Sequence, residues 1–514
     1  MKIAYNDKND VEYPVYEELD KNIEVLDSLF FNWGDIVKKK FVLQRHQKNL
    51  EIYIIYIDGL TNNEMVERTI THPLLYEWQE LCSLSRAEDA ALEGEELFRS
   101  VFHAQTEAVD LVPVTTIQDA ISGVLKGDTA IFIDHVPKCM MLSTKKLPTR
   151  GIDVPDKEAG LRGPRDSFNE NFRTNTALIR RRIKDPKLKL EQGELGLRSR
   201  TVYGVMYMED LIYPELLGAV RKKMESFTID GIFDSGMLVH LLEEKWYSPF
   251  PQIQTTERPD KAASALLEGR IVLVVDNSPE VLILPTTFNT FFQAADDYYN
   301  RYTVGSFARI LRYFAAFISV LLPGLYVAIT CYYPQILPTD FLLTIAGART
   351  NITFPIVVEV LLMELLFELL REAGIRLPGQ MGNTIGVVGG LIVGQAAVEA
   401  SLVSTIVVIV VALTAIASFA IPNEEFSSTF RLLKFFMIFL GAIWGLYGIF
   451  LGMLILVIHL SSLESFGIPY MMPLTAGTAD HNVEFQDFVV RKPIFIMKNR
   501  PLYTMRGKRR RFRK

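Results

Sequence analysis

Acidic and amide side chains interrupt an otherwise apolar block at residues 310–463. Glu364 and Glu368 share one helix face a turn apart, and Gln395 and Glu399 have the same spacing. A charge at the middle of a bilayer costs at least ~2.5 kcal/mol on insertion scales, so these faces must turn toward protein or water. Polar oxygens stacked around an axis are a common basis of cation selectivity. We therefore predict Glu364, Gln395 and Glu399 as pore candidates.

Small residues precede the second polar pair. Gly386, Gly390 and Gly394 follow one another at four-residue spacing, which makes a smooth helix surface for close packing. If several copies of this helix surround an axis, Gln395 and Glu399 become stacked polar rings. Such glycine spacing by itself is more typical of helix–helix packing than of a pore wall. We predict helix packing at the three glycines.

Two other interpretations apply to the membrane acids. Glu368 and Glu372 lie beside Arg371 at a helix end, where charged residues commonly meet the membrane interface. In a monomeric secondary transporter, acids at the midplane would couple protons, and broken helices would occur in two corresponding halves. The sequence contains no matching second half.

The apolar block is long enough for several membrane crossings. The runs 310–333, 402–421 and 435–460 can each cross ~30 Å of hydrocarbon at ~1.5 Å per residue. Arginine and lysine at the ends of these runs place the N-terminal part on the cytoplasmic side. Residues 431–463 are long for one span and short for two, with a glycine-rich middle. We expect a tight hairpin or a re-entrant element there, which returns the tail to the cytoplasm.

The part before the apolar block has the pattern of one unit present twice. Each copy has a strand, a helix, a spacer and a hairpin whose first strand follows a glycine turn. The strands are 50–60 and 201–211, and the hairpins are 125–144 and 267–285. The alternative is chance similarity of short strands. Since no basic segment with an early apolar stretch precedes Asn32, we expect no cleaved signal peptide.

A basic amphipathic helix is predicted at 168–183, between the two copies. Arg180, Arg181 and Arg182 near its end have two interpretations. They form a solvated, salt-bridged face, or they form a basic surface that meets an acidic neighbouring subunit. We predict these three arginines as subunit-interface candidates.

Other classes of protein are not supported by the residues. The seven histidines include no close pair with metal-ligand spacing, and no nucleophile or phosphate-loop motif occurs. Asp296 and Asp297 at the entrance to the apolar block fit a solvated linker. A net charge of −6 does not favour nucleic acid as a partner. We therefore expect no enzyme activity, no cofactor and no metal site.

Longer strings resemble a known family. They are GPR…RTNTALIRRRI at 163–183, TERPD at 256–260, LLEGRIVLVVD at 266–276, LMELLFELLREAG at 362–374 and IGVVGGLIVGQAAVEA at 385–400. Together they closely resemble the A subunits of GerA-family spore germinant receptors, from about Asn22 to Pro473. The basic tail after Pro473 lies outside this resemblance.

The resemblance implies a receptor subunit in the inner membrane of a bacterial endospore. Its partners would be a permease-like B subunit, a lipoprotein C subunit and further copies of itself, with a pentamer around an ion-conducting pore as the family's expected assembly. A paralogous branch of the family serves as an accessory channel, and the membrane strings here are more similar to the receptor branch.

These observations combine into one prediction. An α+β cytoplasmic head of two related subdomains (1–160 and 161–302) is followed by a polytopic helical membrane domain (303–473) and a basic cytoplasmic tail (474–514). We expect about five or six membrane segments and contact of the tail with anionic lipid. The predicted function is a nutrient-gated channel for monovalent cations that triggers germination. The alternatives are a secondary transporter and a non-conducting scaffold that couples a sensor to a separate channel.

Overall fold

The computed structural model describes residues 13–45, 48–72, 111–146, 162–375, 392–475 and 487–500, and also residues 155, 158, 160, 504, 505 and 510. Within these ranges a mixed α/β head extends to Tyr299, and a helical part begins at Tyr302. This arrangement agrees with the predicted order of an α+β head followed by a helical domain.

The first half of the head contains a five-stranded antiparallel sheet between helices. Its strands are β1 (Ile36–Arg45), β2 (Lys48–Ile57), β3 (Leu111–Val114), β4 (Thr129–Ile133) and β5 (Cys139–Leu142), in the order β1-β2-β4-β5-β3. Helices α1 (Leu19–Leu29) and α3 (Ile117–Val124) cover one face. Helix α2 (Asn63–Val66), with the π-helical turn Glu67–Thr71, covers the other face.

Strand β2 shows why its sequence is apolar throughout. Successive side chains of a strand point to opposite faces of the sheet. Tyr53 and Ile55 therefore pack with α1 and α3, whereas Ile52 and Ile54 pack with α2. Because helices cover both faces, all four side chains are buried.

The second half of the head repeats this plan. Its strands are β6 (Leu188–Leu195), β7 (Thr201–Met208), β8 (Gln254–Thr256), β9 (Ile271–Val275) and β10 (Val281–Leu284), in the order β6-β7-β9-β10-β8. Helices α4 (Phe172–Arg182) and α7 (Pro259–Leu267) cover one face. Helices α5 (Pro214–Glu225) and α6 (Ser235–Leu242) cover the other. Strand order and helix placement correspond between the halves.

Arg180 lies in the joint between these two halves. Its Nη2 donates to Asp35 Oδ1 at 2.7 Å, and its Nη1 donates to the carbonyl oxygen of Leu188 at 3.1 Å. The guanidinium also lies 3.6 Å from the ring centroid of Trp33. Arg180 and Asp35 are 2% and 1% exposed. The ion pair therefore joins the first half to the second inside one chain.

This position corrects the expectation that Arg180 faces a neighbouring subunit. Successive residues of a helix point in directions about 100° apart, so Arg181 turns outward and is exposed. Arg182 is partly buried, and its Nη2 donates to Asp166 at 2.6 Å. Of the three predicted arginines, only Arg181 is exposed, and its interface role stays a prediction.

The helical part begins where the head ends. The last short helix of the head is α8 (Asp296–Tyr299). The helices of the helical part are α9 (Tyr302–Tyr332), α10 (Thr339–Ala348), α11 (Ile356–Ile375), α12 (Thr405–Phe419) and α13 (Glu424–Ser462). Residues 392–399 are also helical, and turns of 3-10 helix occur at Phe288–Phe292 and Pro334–Ile336. Two short strands, β11 (Glu464–Ser465) and β12 (Ile468–Pro469), follow α13. Among the described residues, α9 and α13 are long and apolar enough to cross a membrane.

Helix α13 reverses direction at Gly445. This glycine has φ +58° and ψ −139°, a conformation that side-chain-bearing residues rarely adopt. Thr429 donates to the carbonyl oxygen of Pro249, and the ring of His459 bonds with the Ser248 hydroxyl at 2.9 Å. Thr429 and His459 would be about 45 Å apart in a straight helix, yet both contact the same head loop. Helix α13 is therefore a helical hairpin, as the glycine-rich middle predicts.

The hairpin packs closely against α9. A Cβ atom added at Gly441 would lie 2.6 Å from the carbonyl oxygen of Gly324 on α9, and one added at Gly324 would lie 2.8 Å from that of Met437. Any larger residue at these positions would force the two helices apart. At the hairpin tip, the Tyr332 hydroxyl at the end of α9 donates to the carbonyl oxygen of Ala442 at 2.5 Å.

We predict that Gly441→Ala destabilises the helical part, because the new methyl group meets the Gly324 backbone. Overpacking of this kind typically costs about 1–3 kcal/mol. The measurement is thermal unfolding of the full-length protein in detergent. Gly347→Ala on α10 is the matched control, since nothing lies within 4 Å of its added Cβ. Equal melting temperatures for the two variants would contradict the close approach of α9 and α13.

Candidate functional site

A cluster of four charged side chains joins α11 to α13. Lys434 Nζ donates to Glu364 Oε2 at 2.5 Å and to Glu368 Oε1 at 2.9 Å. Arg431 Nη1 donates to Glu368 Oε2 at 3.0 Å. Lys434 and Glu364 are 3% and 1% exposed, whereas Arg431 and Glu368 are partly exposed. The cluster carries two negative and two positive charges, so the helices meet without a net charge.

This geometry corrects the expectation that Glu364 faces an open pore. Its carboxylate is buried against Lys434 of the same chain. A buried ion pair gains little over an apolar pair, but removal of one partner leaves an uncompensated charge. The chemistry of the cluster is therefore to hold α11 and α13 together.

The third acid of α11 has a different set of partners. Glu359 is fully buried, and its Oε1 lies 2.9 Å from Arg349 Nη2 at the end of α10. Its Oε2 accepts a hydrogen bond from the backbone N–H of Ser404 at 3.0 Å. Ser404 caps α12, and its side chain accepts from Val407 N–H. A carboxylate at a helix N-terminus is stabilised by the unpaired N–H groups there. Glu359 thus joins three helices.

Gln395 and Glu399 differ from these acids because both are exposed. On the opposite face of the 392–399 helix, Gly394 and Ala397 are buried. Ala397 packs with Val407 in a cluster that includes residues of α11 and α12. Gly394 Cβ would lie 3.6 Å from Val408. Among the described residues, none forms a hydrogen bond or ion pair with the side chain of Gln395 or Glu399.

The helix 392–399 therefore packs by small residues and presents a polar pair one turn apart. The predicted packing role of Gly394 is consistent with its closeness to Val408. Gly386 and Gly390 lie outside the described residues. The two oxygen-bearing side chains can coordinate a hydrated cation or face a neighbouring copy. In the part of the chain that the structure describes, no group of three His, Cys, Asp or Glu side chains is placed to hold a metal ion.

A second charge cluster connects the head to α9 and was missed from the sequence. Arg312 Nη1 lies 2.7 Å from Asp297 Oδ2, and Arg309 Nη2 lies 3.3 Å from the same oxygen. Arg309 Nη1 also donates to Asp487 Oδ1 at 2.6 Å. Arg491 donates to the carbonyl oxygen of Asp297. We call these five residues the neck cluster.

The neck cluster corrects the interpretation of Asp297 as part of a solvated linker. Asp297 is 1% exposed and Arg309 is fully buried. Tyr298 donates to Asp487 Oδ2 at 2.5 Å, and burial raises the pKa of its hydroxyl well above the ordinary value. It therefore stays a hydrogen-bond donor at physiological pH. The sequence did contain one signal for this cluster, because Arg309 and Arg312 lie three residues apart and therefore near one face of a helix. Nothing near these arginines in the sequence indicated that Asp487 would be a partner of Arg309.

The chain as a whole matches a described family. The model of the Bacillus/Clostridium GerA spore germination proteins matches residues 24–503. The chain belongs to this family. This confirms the resemblance seen in the sequence strings, and the match extends beyond Pro473 into the segment that contributes Asp487 and Arg491 to the neck cluster.

The relatives of this GerA-family chain include several proteins of Bacillus subtilis. Spore germination protein A1 is 38% identical over 467 residues, which cover 91% of this chain and 92% of that protein. The uncharacterized membrane protein YfkQ is 37% identical over 494 residues, which cover 96% of this chain and 93% of that protein. Stage V sporulation protein AF is 32% identical over 426 residues, covering 82% and 83%.

One solved structure is similar to the head. It is the crystal structure of the N-terminal domain of the A subunit of the Bacillus megaterium spore germinant receptor GerK3. It is 24% identical, covers 54% of this chain and 98% of its own, and has a TM-score of 0.42.

We predict that Lys434→Met destabilises this GerA-family chain by about 3–5 kcal/mol, because Glu364 is then buried without its cation. The double variant Lys434→Met with Glu364→Gln should recover much of the loss, since the uncompensated charge is gone. Thermal unfolding in detergent checks both. Glu399→Gln is the matched control, because Glu399 is exposed. A double variant as unstable as Lys434→Met alone would show that the charge balance is not what holds α11 to α13.

Proposed function

We propose that the chain is the membrane subunit of a nutrient-sensing spore germination receptor, and that several copies form a nutrient-gated channel for monovalent cations. The observation that carries the proposal is the exposed pair Gln395 and Glu399 on a helix whose other face is packed. The acids of α11 at 359, 364 and 368 have cationic partners within the chain. If several copies surround an axis, the polar pairs would form stacked rings around it.

The proposed location is the inner membrane of the spore, with several crossings and the head on the cytoplasmic side. Helix α9 leaves the head at the neck cluster and ends at Tyr332, beside the hairpin tip. The limbs of α13 at 424–444 and 446–462 are each about 25–32 Å long, close to the thickness of the hydrocarbon core. Both outer ends of this hairpin contact the head loop at 245–250. The two limbs and α9 would thus be three crossings.

The proposed partners are a permease-like B subunit, a lipoprotein C subunit and further copies of this chain, with a pentamer as the expected assembly. The support is family membership together with the relatives named spore germination proteins. Identity to spore germination protein A1 is 38%, and identity to stage V sporulation protein AF is 32%. The basic end of the tail would lie against anionic lipid.

A secondary transporter is a weaker alternative on this structure. Such a transporter uses acids near the midplane that can gain and lose protons as the protein alternates. Glu364 and Glu368 are instead held by Lys434 and Arg431. A non-conducting scaffold would keep every contact described above, and measurement of ion flux separates it from a channel.

Substitution of Glu399 tests the proposed pore. Its charge would attract cations into a narrow passage where water screens poorly. We expect reduced nutrient-triggered cation release for Glu399→Gln, which keeps volume and a hydrogen-bonding oxygen, and nearly none for Glu399→Lys. Both variants should reach the membrane at wild-type level. Wild-type release with Glu399→Lys at an equal protein level would rule out Glu399 as a pore element.

Charge reversal at Arg181 tests the proposed contact between heads. We expect Arg181→Glu to lower the assembled fraction in sedimentation of the detergent-solubilised protein, because like charges would meet across the interface. Its melting temperature should not change, since the side chain is exposed. Lys222→Glu on α5 is an exposed control with the same change in charge. If both variants assemble like wild type, Arg181 belongs to a solvated face.

A further inference from the structure

The head loop at 245–250 presents two aromatic side chains to the surroundings. Trp246 and Tyr247 are 83% and 61% exposed, and their ring centroids lie 6.1 Å apart. By contrast, Phe250 is 2% exposed and packs against Phe426 and Phe430. One end of the loop is therefore anchored in the protein interior, while the described residues leave a large aromatic surface uncovered at the other end.

The loop lies at the level where both limbs of the α13 hairpin meet the head. Lys245 Nζ bonds with the carbonyl oxygen of Ser462 at the end of the second limb. Ser248 bonds with His459 one turn earlier, and the carbonyl oxygen of Pro249 accepts from Thr429 on the first limb. The Tyr247 ring centroid lies 6.3 Å from that of His459. The exposed aromatics are thus beside the point where α13 leaves the head.

The second limb has an apolar exposed surface that continues to this loop. Ile455 and Ile458, which lie four residues and one residue before His459, are 44% and 59% exposed. In the proposed membrane placement these side chains face lipid. Lipid that covers these two isoleucines would therefore also contact Tyr247, whose ring lies beside His459.

A second aromatic group marks the other end of the hairpin. Trp444 and Tyr447 at the tip are 50% and 66% exposed. The hairpin tip at Gly445 and His459 are separated by about 21 Å along the second limb, at about 1.5 Å per residue. The two groups therefore flank a layer somewhat thinner than the hydrocarbon core, which is ~30 Å thick. Trp and Tyr are enriched at both membrane–water interfaces, where an apolar ring body and a polar N–H or O–H are both satisfied.

We propose that Trp246 and Tyr247 insert into the phospholipid headgroup layer on the head side of the membrane, so that the head touches the bilayer directly. The inference rests on the proposed membrane placement of α13. Lys245 beside them lies at the same level, where an ammonium group suits lipid phosphate. Contact with lipid would hold the head at a fixed height above the hydrocarbon and support the anchored end of the loop at Phe250.

The test is tryptophan quenching by lipid in full-length protein reconstituted in nanodiscs. Nanodiscs of phosphatidylcholine are compared with nanodiscs of the same lipid brominated on its acyl chains near the headgroup. The chain has four tryptophans, and single replacements show what each exposed one contributes. We expect Trp246→Phe to lose part of the bromolipid-quenched emission, and Trp444→Phe to lose another part. Aqueous iodide should quench wild type and Trp246→Phe nearly equally.

Each other outcome is decisive. If Trp444→Phe loses bromolipid quenching and Trp246→Phe does not, the loop does not touch lipid, although the membrane placement of α13 stands. A loss of iodide quenching in Trp246→Phe would then place the loop in water, and no loss would place it under another protein surface. If neither variant changes bromolipid quenching, the membrane placement itself is overturned.

Discussion

An ionised side chain in an apolar helical domain needs a partner of opposite charge, and this requirement organises the helical part of the molecule. The effective desolvation cost is several kcal/mol for each ion, so a lone buried charge would outweigh most other contacts. Lys434 meets Glu364 between α11 and α13, and Arg349 meets Glu359 between α10 and α11. These pairs determine which helix faces lie together. Gln395 and Glu399 differ from Glu359 and Glu364 because they are exposed and do not join helices.

The same requirement connects the helical part to the head. Asp297 in α8 lies between Arg309 and Arg312 of α9, and the C-terminal segment adds Asp487. Helix α9 in turn packs against the α13 hairpin at Gly324 and Gly441, where there is no room for a Cβ atom on either glycine. In the proposed receptor, a rotation of the head would therefore move α9 and the hairpin as one body. Rigid-body motion of this kind is a common way to transmit a ligand signal across a domain boundary.

Much of the architecture could be predicted from the sequence because its signals are local. Strand patterns with glycine turns predict three of the five strands in each sheet, namely β2 with the β4–β5 hairpin and β7 with the β9–β10 hairpin. The length and glycines of 431–463 predict the hairpin of α13. Partners distant in the sequence could not be predicted. Nothing near Glu364 indicates Lys434, and nothing near Arg180 indicates Asp35. The inward direction of Arg180 had a signal, since it lies two turns after Phe172 on the apolar side of α4, but its charge argued for an exposed position.

The central claim is that this chain conducts cations as an oligomer, and current recording from the purified protein in planar lipid bilayers tests it most directly. The account predicts unitary current steps whose reversal potential follows the gradient of a monovalent cation rather than that of its anion. Protein shown to be inserted and assembled in the same bilayers, yet giving no unitary current or only anion current, would contradict the account and favour the scaffold.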